Sequence, residues 1–376
     1  MRYREFGKTG KKISILGFGC MRFPQIDGEI DEGKTIEMVR YAIDNGVNYI
    51  DTAYPYHNGE SEIVVGKILK DGYRERVNLA TKLPSWEINS REDMDKYFNE
   101  QLKKLQTEQI DFYLIHALDK GLWENLVENN IFDFLNKIKK SKKVRYVGFS
   151  FHDKYEVFKE IIDSYDWDFT QIQYNYLDEE YQAGTKGLEY ASEKDMGVII
   201  MEPLRGGKLA NNLPNDILEI INKSNSKKSP AQWAFKFLYN KPEIGIVLSG
   251  MSNIEQVIDN IRICNEDGAA GSMNLENEKV IEALRDTLKS KIKINCTDCK
   301  YCMPCPNGVN IPACFECLNN SSMFNDIEGI KNNMYKYLIE QDVDASKCIE
   351  CGKCEKSCPQ HIDIINKLKK VKETFK

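Results

Sequence analysis

The chain has 376 residues, 41% apolar and 29% charged, with 52 basic against 58 acidic side chains and a formal charge of −6. That length corresponds to about two domains at ~100–200 residues each and excludes a small scaffold held by covalent staples. The acidic excess argues against a protein that binds nucleic acid through a basic surface. No run approaches ~18 uninterrupted apolar residues, and the opening MRYREFGKTGKK carries no apolar stretch behind its charges. The chain therefore reads as cytoplasmic, with neither a membrane nor a nucleic acid as partner.

In chain order, residues 1–15, with Gly7 and Gly10 as turn formers, predict a short hairpin. Eight short apolar runs of strand character follow: ILGFG, VNYID, VNLATK, IDFYLIH, VRYVGFS, FTQIQYN, GVIIMEP and GIVLSG. Between and after them lie stretches with apolar residues recurring at three and four, from EGKTIEMVRYAIDNG to NIEQVIDNIR, which predict helices. The strand-end residues Asp51, Lys82, His116, Ser150, Gln171, Met201 and Ser249 are separated by 31, 34, 34, 21, 30 and 48 residues, the last gap leaving room for an extra loop. Eight such units over residues 1–274, with no GxGxxG after the first strand, fit a closed (β/α)8 TIM barrel better than an open doubly wound sheet. Residues 275–290 read as a connecting helix with Leu275, Val280, Ile281, Leu284 and Leu288 on one face, and residues 291–376 read as a second, mainly helical domain. The Lys-rich end, KKVKETFK, reads as a solvated helix terminus.

In a barrel of this kind, chemistry is expected where polar residues end the strands. Asp51 and Tyr56 lie in YIDTAYPYHNGESE, Lys82 ends LATK and His116 ends IDFYLIH. Each alone suits a cap or a satisfied structural position. Together, a Tyr beside a Lys and an Asp predicts a phenol made more acidic by a nearby cation, and a histidine adds a hydrogen-bond donor for a developing alkoxide.

DTAxxY, the strand ending in TK, DFYLIH, and GFS followed by a QIQYN strand resemble the aldo-keto reductases over residues 1–270. The resemblance implies an NADP- or NAD-dependent oxidoreductase reducing a small aldehyde or ketone, with Tyr56 as general acid, Lys82 as its electrostatic partner, Asp51 paired with Lys82, and His116 orienting the carbonyl. It further implies that Ser150 and Gln171, with Asn175 as neighbour, hold the nicotinamide carboxamide. Met201 stands where many members stack a tyrosine, and MEPLRGGKL brings Pro203, Leu204, Gly206 and Lys208 to the pyrophosphate. The loop after the last strand supplies Ser249, Gly250, Met251, Ser252, Gln256 and Asn260 on the adenosine side. Gly250 and Gln256 stand where members that favour a 2′-phosphate often carry Lys and Arg, which leaves NAD and NADP both open. PSWEINS and ALDKGLWEN, with Trp86 and Trp123, are candidate pocket walls.

Ten of the twelve cysteines fall between Cys296 and Cys358. After a long cysteine-poor stretch with no export signal, this density points to thiolate metal ligands rather than disulfides. CIECGKCEKSCP is a complete C-x2-C-x2-C-x3-C-P run, the cluster-binding pattern in which the fourth cysteine serves the other cluster; CTDCKYCMPCP departs by one residue before its last cysteine. With the long helix-like stretch between them, the two runs resemble the α-helical type of ferredoxin domain over residues 291–376, and crossing the ligands in the ferredoxin manner implies one 4Fe-4S cluster on Cys296, Cys299, Cys302 and Cys358, and a second on Cys348, Cys351, Cys354 and Cys305. A single cluster and structural zinc remain alternatives, and Cys314 and Cys317 stay unassigned. Cys20 and Cys264 read as buried packing residues, His152 as a candidate pocket residue, and His57 and His361 as surface. A redox partner protein is compatible with the clusters. The competing reading is an iron–sulfur electron-transfer protein whose barrel only binds a nucleotide or redox cofactor.

Overall fold

A computed structural model describes residues 1–376. Strands β1 (Tyr3–Glu5) and β2 (Lys12–Ser14) pair as the expected N-terminal hairpin, and β3 (Leu16–Gly19) begins the barrel. A two-stranded ribbon, β4 (Gln25–Ile26) with β5 (Glu29–Ile30), separates it from β6 (Tyr49–Asp51), β7 (Asn78–Leu83) and β8 (Ile110–Leu118). Then come β9 (Val144–Phe151), β10 (Phe169–Gln173), β11 (Gly197–Met201) and β12 (Ile246–Gly250). The eight parallel strands from β3 to β12 close into a barrel, with β12 hydrogen-bonded back to β3 in the register Ser249 to Phe18. All eight expected strands are present. Parallel neighbours force a crossover after each strand, which is why the chain alternates as it does.

The helices start where local chemistry provides a cap. Ser90 and Asp93 form a capping box at helix Arg91–Lys104, and Asp119 and Asn253 accept from the first turns of helices Lys120–Glu128 and Ile254–Asp267. Those side chains satisfy amides that a helix start leaves without partners.

The N-terminal hairpin carries Phe6 into the barrel floor. Phe6 is 1% exposed and meets Phe112 edge-on at 5.7 Å and Phe169 at 6.2 Å, in a cluster with Ile13, Tyr49, Ile199 and Ile246. A Cβ on Gly197 would lie 2.3 Å from the Phe6 ring, and one on Gly245 2.5 Å, so these two glycines make the space that the ring fills.

The chain divides into two compact units, Met1–Gly207 with Pro230–Asn274, and Lys208–Ser229 with Leu275–Lys376. This differs from a continuous barrel over residues 1–274. The long gap after β11 holds helix Asn215–Lys223, and this helix packs on helix Leu275–Ser290 rather than staying a loop. Ile217 and Ile221 are buried on the first and Ile281, Leu284 and Leu288 on the second, and Lys291 pairs with Asp216 at 2.7 Å. The remainder of the second unit is helical, with Ile311–Met323 against Ile364–Thr374 around Ile294, Val309, Phe315 and Val371. No helix of the chain is long and apolar enough to cross a membrane.

Phe6→Ala opens a cavity in the barrel floor and is expected to destabilise by about 3–5 kcal/mol, while Phe6→Leu loses less. The shift of the thermal unfolding midpoint of the two variants measures the difference.

Candidate active site

Four side chains meet at the C-terminal rim because three neighbouring strands end side by side. Asp51 ends β6, Lys82 lies near the end of β7 and His116 near the end of β8, with register pairs Asp51 to Ala80 and Lys82 to Leu114. Lys82 Nζ donates to Asp51 Oδ1 at 2.5 Å, to the Thr52 carbonyl at 2.9 Å and to Tyr56 Oη at 3.3 Å. Lys82 is fully buried and Asp51 nearly so. Tyr56 follows β6 on a turn closed by its N–H to the Ala53 carbonyl at 3.2 Å. The next residues, His57 and Asn58, both adopt φ above +50°, which reverses the chain and returns it to helix Ser61–Ile68. His57 is a tie rather than a free surface residue: its Nε2 accepts from the Phe23 N–H at 3.2 Å and its ring stacks on Phe23 at 5.5 Å.

Burial dominates the titration of this group. It raises the Tyr56 phenol above its ordinary value of 10.0, outweighing the opposing pull of Lys82, so the sequence expectation of a more acidic phenol is reversed. Burial also raises Asp51, against Lys82. For Lys82, burial acts downward, but Asp51 and Tyr56 together raise the ammonium. His116 is held well below 6.5 by burial, then by Lys82 and His152, and is therefore neutral at pH 7. Its Nδ1 is buried without a partner. Its ring lies 6.0 Å from Tyr56, edge-on, and 5.2 Å from Trp86. Trp86 is half exposed beside the site; Trp123, 4% exposed and packed against Phe132 and Trp167, belongs to the core. His152 faces the Gln182 amide at 3.3 Å.

A buried polar layer behind Lys82 gave no sequence signal. Glu62 Oε1 accepts from Thr81 Oγ1 at 2.6 Å and Gln101 Nε2 at 2.8 Å, Gln101 also donates to the Lys82 carbonyl at 2.9 Å, and Tyr113 Oη donates to Gln101 Oε1 at 2.7 Å. SEIVVGK reads as an ordinary amphipathic helix, and only packing reveals that its Glu62 points inward.

On the far side of the rim, Ser150 Oγ accepts the Ala117 N–H at 2.7 Å, leaving its hydroxyl proton to give, and Gln171 Oε1 is buried without a partner while its Nε2 contacts Met201 Sδ at 3.6 Å. One donor and one orphaned acceptor fit a carboxamide. Asn175 is committed instead, donating to Asp178 and the Glu202 carbonyl and accepting from Leu177 and Asp178. Pro203 is buried and Leu204 half-buried in the turn after β11. Lys208 falls in the second compact unit, where it faces Asp326 at 4.0 Å and the Phe324 ring at 5.5 Å. In the loop after β12, Ser249, Met251 and Asn260 are buried, with Asn260 Nδ2 donating to Ser249 Oγ at 2.9 Å. Gly250, Ser252 and Gln256 are exposed, and Gln256 Oε1 accepts the Ser252 N–H at 2.8 Å.

A model of the aldo/keto reductase family matches residues 15–275. The chain belongs to that family. L-galactose dehydrogenase of Arabidopsis thaliana is 28% identical over 307 residues, spanning 76% of this chain and 95% of the relative. The holo form of the aldo-keto reductase AKR11C1 from Bacillus halodurans is 25% identical with a TM-score of 0.64, covering 76% of this chain and 96% of its own. An aldo-keto reductase from Klebsiella pneumoniae, solved in complex with NADPH, shares the fold at 24% identity and TM-score 0.60, over 76% of this chain and 95% of its own. This aldo-keto reductase is an oxidoreductase of a family that binds NADP(H).

A 4Fe-4S dicluster domain matches residues 295–362. In the second unit, Cys296, Cys299, Cys302 and Cys358 line one pocket together with Ile311, Phe315 and Ile364, so the donor chemistry fits a thiolate-held cluster. No three of the chain's His, Cys, Asp and Glu side chains are grouped closely enough to hold one ion. Asn307 donates its side-chain amide to the Lys347 carbonyl, which ties the turn after Cys305 to the segment carrying Cys348. Cys314 and Cys317 are buried in the apolar core of this unit, and burial pushes the Cys317 thiol up to about 12 and Cys314 further. They serve there as small apolar side chains.

Removing one partner of a buried ion pair leaves an uncompensated charge. Lys82→Met is therefore expected to destabilise by about 3–5 kcal/mol, and the double variant Asp51→Leu/Lys82→Met to recover much of that loss. Chemical denaturation of the three proteins checks the cycle.

Proposed function

We propose that the barrel reduces a small aldehyde or ketone with NADPH or NADH and that Tyr56 supplies the proton. The observation that carries this reading is the buried chain from Asp51 through Lys82 to Tyr56 Oη at the C-terminal rim. When bound, the nicotinamide supplies a hydride. The raised Tyr56 phenol holds its proton through the neutral range. The Lys82 ammonium 3.3 Å away lowers the energy of the phenolate left behind, and Asp51 keeps that ammonium charged. His116, neutral, offers a ring N–H to the carbonyl oxygen, and Trp86 forms an apolar wall beside it. Ser150 and Gln171 hold the carboxamide, with Met201 as a soft thioether contact.

In this reading two 4Fe-4S clusters occupy the second unit, one on Cys296, Cys299, Cys302 and Cys358 and one on Cys305, Cys348, Cys351 and Cys354. Hydride transfer moves two electrons and a cluster accepts one at a time, so the clusters stand outside the carbonyl chemistry and serve structure, sensing or a redox partner protein. In this reading the thiolate ligands suit a reducing compartment such as the cytoplasm. The second reading, electron transfer through the clusters, is favoured by the eight ligand-spaced cysteines.

Anaerobic mixing of cluster-loaded protein with NADPH or NADH and a carbonyl panel, following nicotinamide and cluster absorbance together, separates the two. Carbonyl-dependent nicotinamide oxidation with unchanged clusters is expected; bleaching by nicotinamide alone establishes electron transfer instead. Tyr56→Phe is expected to lower kcat by about 10²–10⁴-fold with KM little changed. Reduction requires the protonated phenol, and a raised pKa retains that proton to higher pH, so the wild-type rate should fall only above pH 10. Iron analysis should return about eight atoms per chain. Cys358→Ser should lose about half, and Cys314→Ala none.

A further inference from the structure

The barrel mouth carries a polar pair that Asp51, Lys82 and Tyr56 leave unused. His152 follows Phe151, the last residue of β9, and its N–H donates to the Leu118 carbonyl at the end of β8 at 2.8 Å. Alternate residues of a strand share a face, so His152 continues the side of β9 that carries Ser150, about 7 Å further out. It lies within electrostatic reach of His116, one strand away, and helps to lower that imidazole. The Trp86 ring stands on the other side of His116, 5.2 Å from it, in the turn after β7. From β7 to β9 the mouth thus presents an apolar wall, the ring facing the carbonyl, and then a second imidazole.

His152 is exposed, yet desolvation still holds its imidazole below 6.5, against the opposing pull of Gln182 and Asp119. That combination belongs to a side chain lining a cleft rather than one on a convex surface. Gln182, in the loop after β10, donates Nε2 to His152 Nδ1 at 3.3 Å, which places the ring proton on Nε2. No group of the chain accepts that proton. Gln182 Oε1 is buried and has no partner either. The backbone is left-handed here, with φ +56° at Gln182 and +58° at Gly184, so the loop turns back at the residue that reaches His152. A free donor beside a free acceptor, both uncharged at pH 7, matches a hydroxyl, which accepts one hydrogen bond and donates another; a carboxylate or phosphate uses only the donor.

We propose that His152 and Gln182 are specificity-determining residues that together hold a hydroxyl on the carbon next to the substrate carbonyl. The His152 Nε2–H donates to that hydroxyl, Gln182 Oε1 accepts from it, and Trp86 covers the apolar part of the substrate beyond His116. Adjacent strands stand about 4.8 Å apart, so imidazoles on β8 and β9 address oxygens on neighbouring carbons. The same compound without its hydroxyl leaves the donor and the acceptor unpaired, which is where the discrimination comes from. This inference rests on the reading of the barrel as a carbonyl reductase and adds the substrate class, an α-hydroxy aldehyde or ketone.

Two pairs of near-isosteric carbonyls test this: hydroxyacetone against butanone, and glycolaldehyde against propanal. Each is reduced by the full-length, cluster-loaded protein under anaerobic conditions with NADPH or NADH, and the readout is the ratio of kcat/KM within a pair. That ratio does not depend on how much of a variant is folded. The wild type is expected to favour the hydroxylated member by about tenfold or more. His152→Leu, and Gln182→Gly, which suits the left-handed backbone, are each expected to cut the ratio by about tenfold. His152→Gln, which keeps an N–H donor at the end of the side chain, is expected to retain most of it. An unchanged ratio in His152→Leu or in Gln182→Gly overturns the pair, and equal reduction of both members by the wild type overturns the substrate class while leaving the reductase reading in place. Failure of the wild type to reduce any of these carbonyls or any of the wider panel overturns the proposed function itself.

Discussion

Lys82 carries a full positive charge with no exposure to water, and the C-terminal rim of the barrel is arranged around that fact. An ammonium in this setting needs a counter-charge and hydrogen-bond acceptors, because desolvation alone would strip its proton. Asp51, the Thr52 carbonyl and Tyr56 Oη supply them. The same three contacts place a phenol at the mouth of the barrel and set its electrostatics. The Glu62, Gln101 and Tyr113 layer fixes the backbone of β7 from behind. One buried charge thus fixes both the counter-groups around it and the position of the phenol.

The second unit solves a different problem with similar economy. A region of under ninety residues from Cys296 onward has ten thiols and a modest apolar core. Two of the thiols, Cys314 and Cys317, go into that core, while Cys296, Cys299, Cys302 and Cys358 surround a pocket. Position on helix Ile311–Met323 decides which role a cysteine takes: a helical C-x2-C puts both sulfurs on one face, and here that face is the buried one.

Much of the fold was legible because parallel strands buried on both faces leave near-continuous apolar runs, and all eight runs named from the sequence are strands. Asp51, Lys82 and His116 were legible because they stand at or near the ends of those runs, and Tyr56 because it closes the DTAxxY motif after the second. Helix Asn215–Lys223 was missed because its apolar face is satisfied by a helix some sixty residues later, so local punctuation alone read as a loop.

The sequence by itself determined the repeating strand and helix order, the strand ends that carry Asp51, Lys82 and His116, and the two cysteine runs, because periodicity and ligand spacing are local properties. Tertiary structure decided the direction of the Tyr56 shift, the inward turn of Glu62, and the burial of Cys314 and Cys317. Each depends on how deeply a group lies and what stands opposite it, and those quantities are set only when residues distant in the chain are packed together.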